Sequence, residues 1–120
     1  EFYRRALGAE IGALMRYKES PEPHQPGALP PGSENKVMHA VVKIGDTKVM
    51  VSDGRCSGRP VFQGFALTIN APDVAHADQM FAALADGGQV QMALAKTFFS
   101  PRFGMVTDRL GVLWMIIVMP

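Results

Sequence analysis

A single cysteine, Cys56, stands in 120 residues, so no intrachain disulfide can staple the fold and a reducing, cytoplasmic setting is expected. Charge of either sign is nearly in balance, with 12 Lys and Arg against 11 Asp and Glu and a formal net of +1. Such a chain lacks the field that draws polyanions, which excludes nucleic acid and anionic membrane surfaces as expected partners. Long hydrophobic runs are missing too. The longest, Val112–Met119, is far short of the roughly 20 residues that cross a bilayer as a helix, so no membrane partner is expected. No charged segment followed by an apolar leader core opens the chain. Absent as well are G-x-G-x-x-G, a P-loop and any Ser-His-Asp order, which leaves nucleotide-dependent and triad-hydrolase chemistry without residues to stand on.

What is present is apolar surface, 48% of the residues, enough to offset the entropy of ordering a single domain over 1–120. Phe2, Tyr3, Ala6 and Leu7 recur at helical spacing, and Gly8 follows where a left-handed residue ends a helix. No capping residue precedes Glu1, which places the start of this pattern in mid-turn and implies that residues before it are missing. From Ile11 the pattern turns to alternation, with Ile11, Ala13, Met15 and Tyr17 on one parity and Gly12, Leu14, Arg16 and Lys18 on the other. Residues 20–36 gather five prolines and two glycines and form a loop. Val37–Ile44 and Lys48–Asp53 flank Gly45-Asp46-Thr47 as a hairpin, with Met38, Ala40, Val42 and Ile44 on one side and His39, Val41 and Lys43 on the other.

The polar stretch Asp53–Pro60 joins this half to a second. There a strand over Phe65–Asn70 leads to Asp73, the N-cap of a helix that turns Val74, Ala77, Met80, Phe81 and Leu84 inward. Gly87-Gly88 stop that helix. Gln89–Ala95 is a strand, Thr97–Phe103 an aromatic loop, and Gly104–Thr107 pairs with Val112–Val118 across the turn at 108–111.

The halves match in kind: helix, glycine, strand, loop, strand, glycine-bearing turn, strand. The expected fold is therefore α+β, paired βαβββ modules forming curved sheets around a cavity. Residues 1–53 make the first module, its opening strand missing and its proline loop at 20–36, and residues 63–120 make the second. A final strand backed by a helix and facing a cavity or a partner has no solvent side, which accounts for the unalternating LWMIIVM.

FYRRALGAE, VMHAVVKIGDTKVMVSD and GGQVQMALAKTFFSPRFGMVTDRLGVLWMIIV resemble the PhnB-like branch of the vicinal oxygen chelate superfamily, which also holds glyoxalase I, bleomycin-resistance proteins and extradiol dioxygenases. The branch also carries the label demethylubiquinone methyltransferase-like, from which no chemistry is read. The resemblance covers nearly all of the chain outside the proline loop. It implies the paired fold, a homodimer and, for the superfamily's chemistry, a divalent metal held by His, Gln or Glu with open coordination positions.

That ligand set carries over poorly. Met115 stands where the second module would place a Glu, Met50 in the corresponding strand of the first, and only Gln63 lies near the position of a His. Thioethers are soft, weak ligands for the metals this chemistry uses. No catalytic metal is expected, unless the missing strand supplies it together with His39 or Gln63.

His39 is either a cavity-facing acid, base or ligand or a hydrogen-bonded bystander; His76 and His24 read as solvated. Cys56 has Arg55 and Arg59 near it but no paired His, and reads as a loop thiol without catalytic role. The resemblance places Ser52-Asp53 and the segment with Thr97, Phe98, Phe99, Arg102 and Phe103 at the border of the cavity. Aromatic walls with one cation and a few hydroxyls suit a small anionic or aromatic ligand, while the opposing reading has the phenylalanines fill the core and Arg102 pair with Asp108 or solvent. Asp108 reads as a turn former and Trp114 as core.

Two functions follow. One is the trapping of a small organic ligand without metal, with His39, Met50, Ser52, Thr97, Phe98, Phe99, Arg102, Phe103 and Met115 as candidate lining residues. The other is a metal-dependent glyoxalase, dioxygenase or lyase.

Overall fold

The structure, a computed structural model, describes residues 1–19, 32, 34–53 and 61–120. His24 and Cys56 lie outside the described residues, as do most of the proline loop and of the link after Asp53. The chain is α+β and separates into two compact units, Glu1–Pro60 and Val61–Pro120, each built on one open sheet.

The first unit opens on α1 (Phe2–Leu7), which ends at Gly8 with φ 65°, its N–H returning to the Tyr3 carbonyl. A side chain at that left-handed position would be strained, so glycine marks the end of the helix. β1 (Glu10–Arg16), β2 (Val37–Ile44) and β3 (Thr47–Val51) follow in an antiparallel sheet of order β1-β2-β3. Ile44 pairs with Thr47, so the hairpin turn is Gly45-Asp46 alone, with positive φ only at Gly45. Positive φ at the first central residue alone is the signature of the type II′ turn, whose twist suits the flanking strands.

The simple alternation expected for β1 does not hold. Ile11 pairs with Val42 and Leu14 with Ala40, with a register shift between them. An extra residue in one strand flips the parity beyond it, so Ile11 and Leu14 share a side although three positions separate them.

The second unit runs β4 (Leu67–Ala71), α2 (Val74–Ala85), β5 (Gln89–Ala95), β6 (Arg102–Thr107) and β7 (Leu113–Val118), with sheet order β4-β7-β6-β5. β4 lies parallel to β7 and the other pairs are antiparallel, the βαβββ arrangement. Three strand starts in this unit differ from expectation, β7 beginning at Leu113 rather than Val112. β4 starts at Leu67 rather than Phe65, and β6 starts at Arg102, which takes Arg102 and Phe103 out of the loop and into the sheet.

Asp73 caps α2: its Oδ1 accepts the His76 N–H at 2.8 Å. Ala77, Phe81 and Leu84 turn inward, whereas Val74, expected beside them, sits in the first turn and is 37% exposed. The helix lies close on the sheet at Gly104, where a Cβ would come 2.8 Å from Phe81 Cε2. Ile69, Ala71, Val106, Trp114, Ile116 and Val118 are buried on that side. β7 has no polar side, yet its burial alternates. Trp114, Ile116 and Val118 are buried under α2, and Leu113, Met115 and Ile117, facing away, are half-buried.

Candidate functional site: a hollow on the first sheet

Side chains directly opposite one another in a sheet share a face. The rows Ile11–Val42–Val49 and Leu14–Ala40–Val51 therefore stand on one side of the first sheet. On that side opens a hollow of about 220 Å³ lined by Ile11, Leu14, Val37, Ala40, Val42, Val51, Ser52 and Asp53. Ala40 forms its floor at 3% exposure, and Ile11, Leu14 and Val51 remain more than 40% exposed at its walls.

Its polar end is anchored. The Asp53 N–H donates to the Val37 carbonyl at 2.9 Å, and the Val37 N–H donates to Asp53 Oδ2 at 2.7 Å. The Ser52 hydroxyl donates to the same carbonyl at 3.4 Å. Ser52 and Asp53 thus border this hollow. The apolar lining was not singled out in advance, because the irregular step in β1 hides Ile11 and Leu14 from a parity count.

His39 and Met50 are not part of this hollow. Ala40, Val42 and Val51 point into it, so their strand neighbours His39 and Met50 point to the opposite side, where both are exposed. Lys43 and Lys48, paired with each other and through Lys43 with Glu10, also occupy that opposite side.

The other candidates lie in the second unit, which divides them between its two faces. Arg102 stands on the α2 side in line with Gly104, and its guanidinium holds Asp78 of that helix at 3.1 and 3.3 Å. It is neither paired with Asp108 nor directed to the face that bears Phe103 and Met115.

That second face carries Thr68, Met115, Met105 and Met92 in one row and Asn70, Ile117, Phe103 and Ala95 in the next. Phe103 continues into a run of edge-to-face rings, Phe103–Phe99 and Phe99–Phe98, each pair of ring centres 5.1 Å apart, with Phe98 at the tip in full solvent. Thr97 shapes the loop below them: its Oγ1 accepts the N–H groups of Phe99 and Ser100. Ser100 is buried, 2.6 Å from the Val118 carbonyl, and ties the loop to the end of β7.

Asp108 is a turn former of unusual depth. At 3% exposure its Oδ1 accepts from Leu110 and Val112 and its Oδ2 accepts from Trp114 Nε1.

Among the described residues the donors that the resemblance named do not converge on one point. Met115 has Met105 and Thr68 as its row neighbours, His39 turns away from the hollow, and Gln63 is exposed outside any strand. Among the described residues no three His, Cys, Asp or Glu side chains come together. No helix among them is long and apolar enough to cross a membrane.

Residues 10–117 match the model of the family described as 3-demethylubiquinone-9 3-methyltransferase. The chain is 36% identical over 120 residues to protein YjdN of Escherichia coli K12, across 96% of this chain and 82% of that protein. The crystal structure of protein PA1353 from Pseudomonas aeruginosa is similar, with TM-score 0.80 and 34% identity over 98% of this chain and 84% of the other. A PhnB protein from Bacillus cereus, described as a putative 3-demethylubiquinone-9 3-methyltransferase, superposes with TM-score 0.74 and 25% identity over 98% and 85% of the two chains.

Proposed function

This chain belongs to the PhnB-like branch of the glyoxalase and bleomycin-resistance superfamily, and we propose that it binds a small organic molecule in the hollow of its first sheet without a metal ion. The observation that carries the reading is the hollow itself: six apolar residues around a fixed polar end formed by Ser52 and Asp53. Such a division, with apolar walls that supply affinity and a few placed polar groups that orient, is the usual make-up of a small-molecule site. Its size suits one ring and a short substituent, since a cavity of about 150 Å³ holds benzene.

The walls give a ligand something to gain. Exposed Ile11, Leu14 and Val51 lose water when a ring enters, at roughly 25 cal/mol per Å² of apolar surface covered.

Methyl-labelled protein titrated with benzyl alcohol tests the reading by NMR. The methyl signals of Ile11, Leu14, Val42 and Val51 shift together and saturably, and those of the second unit stay in place. Val51→Trp, at a rim position that tolerates bulk, fills the hollow and abolishes the shifts while the spectrum of the second unit is retained. Unmoved hollow methyls, or full binding by V51W, would overturn the proposal.

A further inference from the structure

We infer that the hollow selects cationic ligands, a small apolar group bearing an amine or ammonium, with Asp53 as the residue that recognises the charge. The inference rests on the ligand-binding reading above and specifies its chemistry. Among the described lining residues, Asp53 is the one with a charge. Its position is set twice by β2, through its N–H to the Val37 carbonyl and through Oδ2 to the Val37 N–H. Among the described residues Oδ1 has no hydrogen-bond partner. An acceptor held in place in advance loses little freedom when it takes up a ligand.

Among the described residues no cation forms an ion pair with Asp53. Lys43 and Lys48 stand on the opposite face, and the Arg16 guanidinium donates to the Asn35 carbonyl at 2.7 Å. The one cation that would have argued for an anionic ligand, Arg102, is held by Asp78 in the other unit. A carboxylate-bearing ligand would thus meet a like charge at the polar end, and an ammonium would meet an acceptor. Asp53 is exposed, so its share is modest and acts on selectivity more than on affinity.

Benzylamine, benzyl alcohol and benzoate share a ring and differ in charge, which makes them suitable probes for titrations followed by the hollow methyls. Benzylamine is expected to bind up to about five-fold tighter than benzyl alcohol, the upper end of what an exposed ion pair supplies, and benzoate the most weakly. Asp53→Asn keeps an oxygen for the Val37 N–H while removing the charge. It should bring benzylamine down to the affinity that benzyl alcohol shows on the same variant. Equal binding of amine and alcohol, preference for benzoate, or an advantage that survives D53N overturns the inference while the hollow still stands as a site. Failure of all three probes to move the methyls overturns the hollow itself.

Discussion

At the scale of single residues the most constrained side chain is Asp108. A carboxylate out of water is tolerated only when donors surround it, and here two backbone N–H groups and the indole of Trp114 do so. Asp108→Asn keeps one oxygen but turns an amide NH₂ toward a group that is itself a donor. The expected loss is about 1–3 kcal/mol, the cost of leaving a buried donor unmatched. Urea unfolding reads it as a lower midpoint at unchanged slope; an unchanged midpoint would show that the turn closes without this network. Asp108 was readable from sequence as a turn residue because the carboxylate bonds within four positions of itself. Its bond to Trp114 needed the strand pairing and was not.

At the scale of elements α2 carries a pH-dependent fastening. The His76 backbone N–H, and after it the His76 ring, hold the Asp73 carboxyl below its ordinary value of 3.8. A carboxyl whose pKa is depressed by folding stabilises the folded state above its unfolded pKa, and that contribution disappears as pH falls through the folded value. The first turn of α2 should therefore loosen as pH drops below about 4, seen as faster amide exchange at His76 and Ala77. Asp73→Asn should flatten this dependence, and an identical pH profile in D73N would remove Asp73 as its source.

Elements were legible where their signals are local: the glycine after α1, the cap of α2, the hairpin at Gly45, though its turn is one residue shorter than the sequence suggested. Faces were not. VMHAVVKI is apolar on both parities, so alternation separates His39 from Ala40 without saying which of them meets the hollow. The step in β1 then spoils even the parity. For Arg102 the misleading signal was its aromatic neighbourhood, which reads as loop; Ser100 and Thr97 close that loop early, and β6 begins with the arginine already turned toward α2.

At the scale of the whole molecule the two units differ in how much they bury. The second holds Ile69, Phe81, Leu84, Val106, Trp114, Ile116 and Val118 in its core, whereas the first, among its described residues, buries Ala9 and Ala40. Two small side chains remove little apolar surface from water, so the first sheet should open more easily than the second. Hydrogen exchange on the intact chain should find the slowest amides in β6, β7 and α2 and faster exchange throughout β1, β2 and β3. Equal protection in both sheets would contradict this distribution. A weakly buried sheet that carries a ligand site would gain most from occupancy, since binding adds to the folded state alone.

The interrupted pairing of β5 bears on how the molecule behaves in a crowd. Among the described residues this strand has β6 as its one partner in the sheet, and its register slips between Val90 and Met92 and again between Met92 and Ala95. A stray extended peptide needs evenly spaced amide and carbonyl groups to lay itself alongside, and a twice-kinked border offers none over that length. With Val90 and Met92 both open to solvent there, the misalignment acts as a guard, denying fibril growth a straight template at a sticky margin.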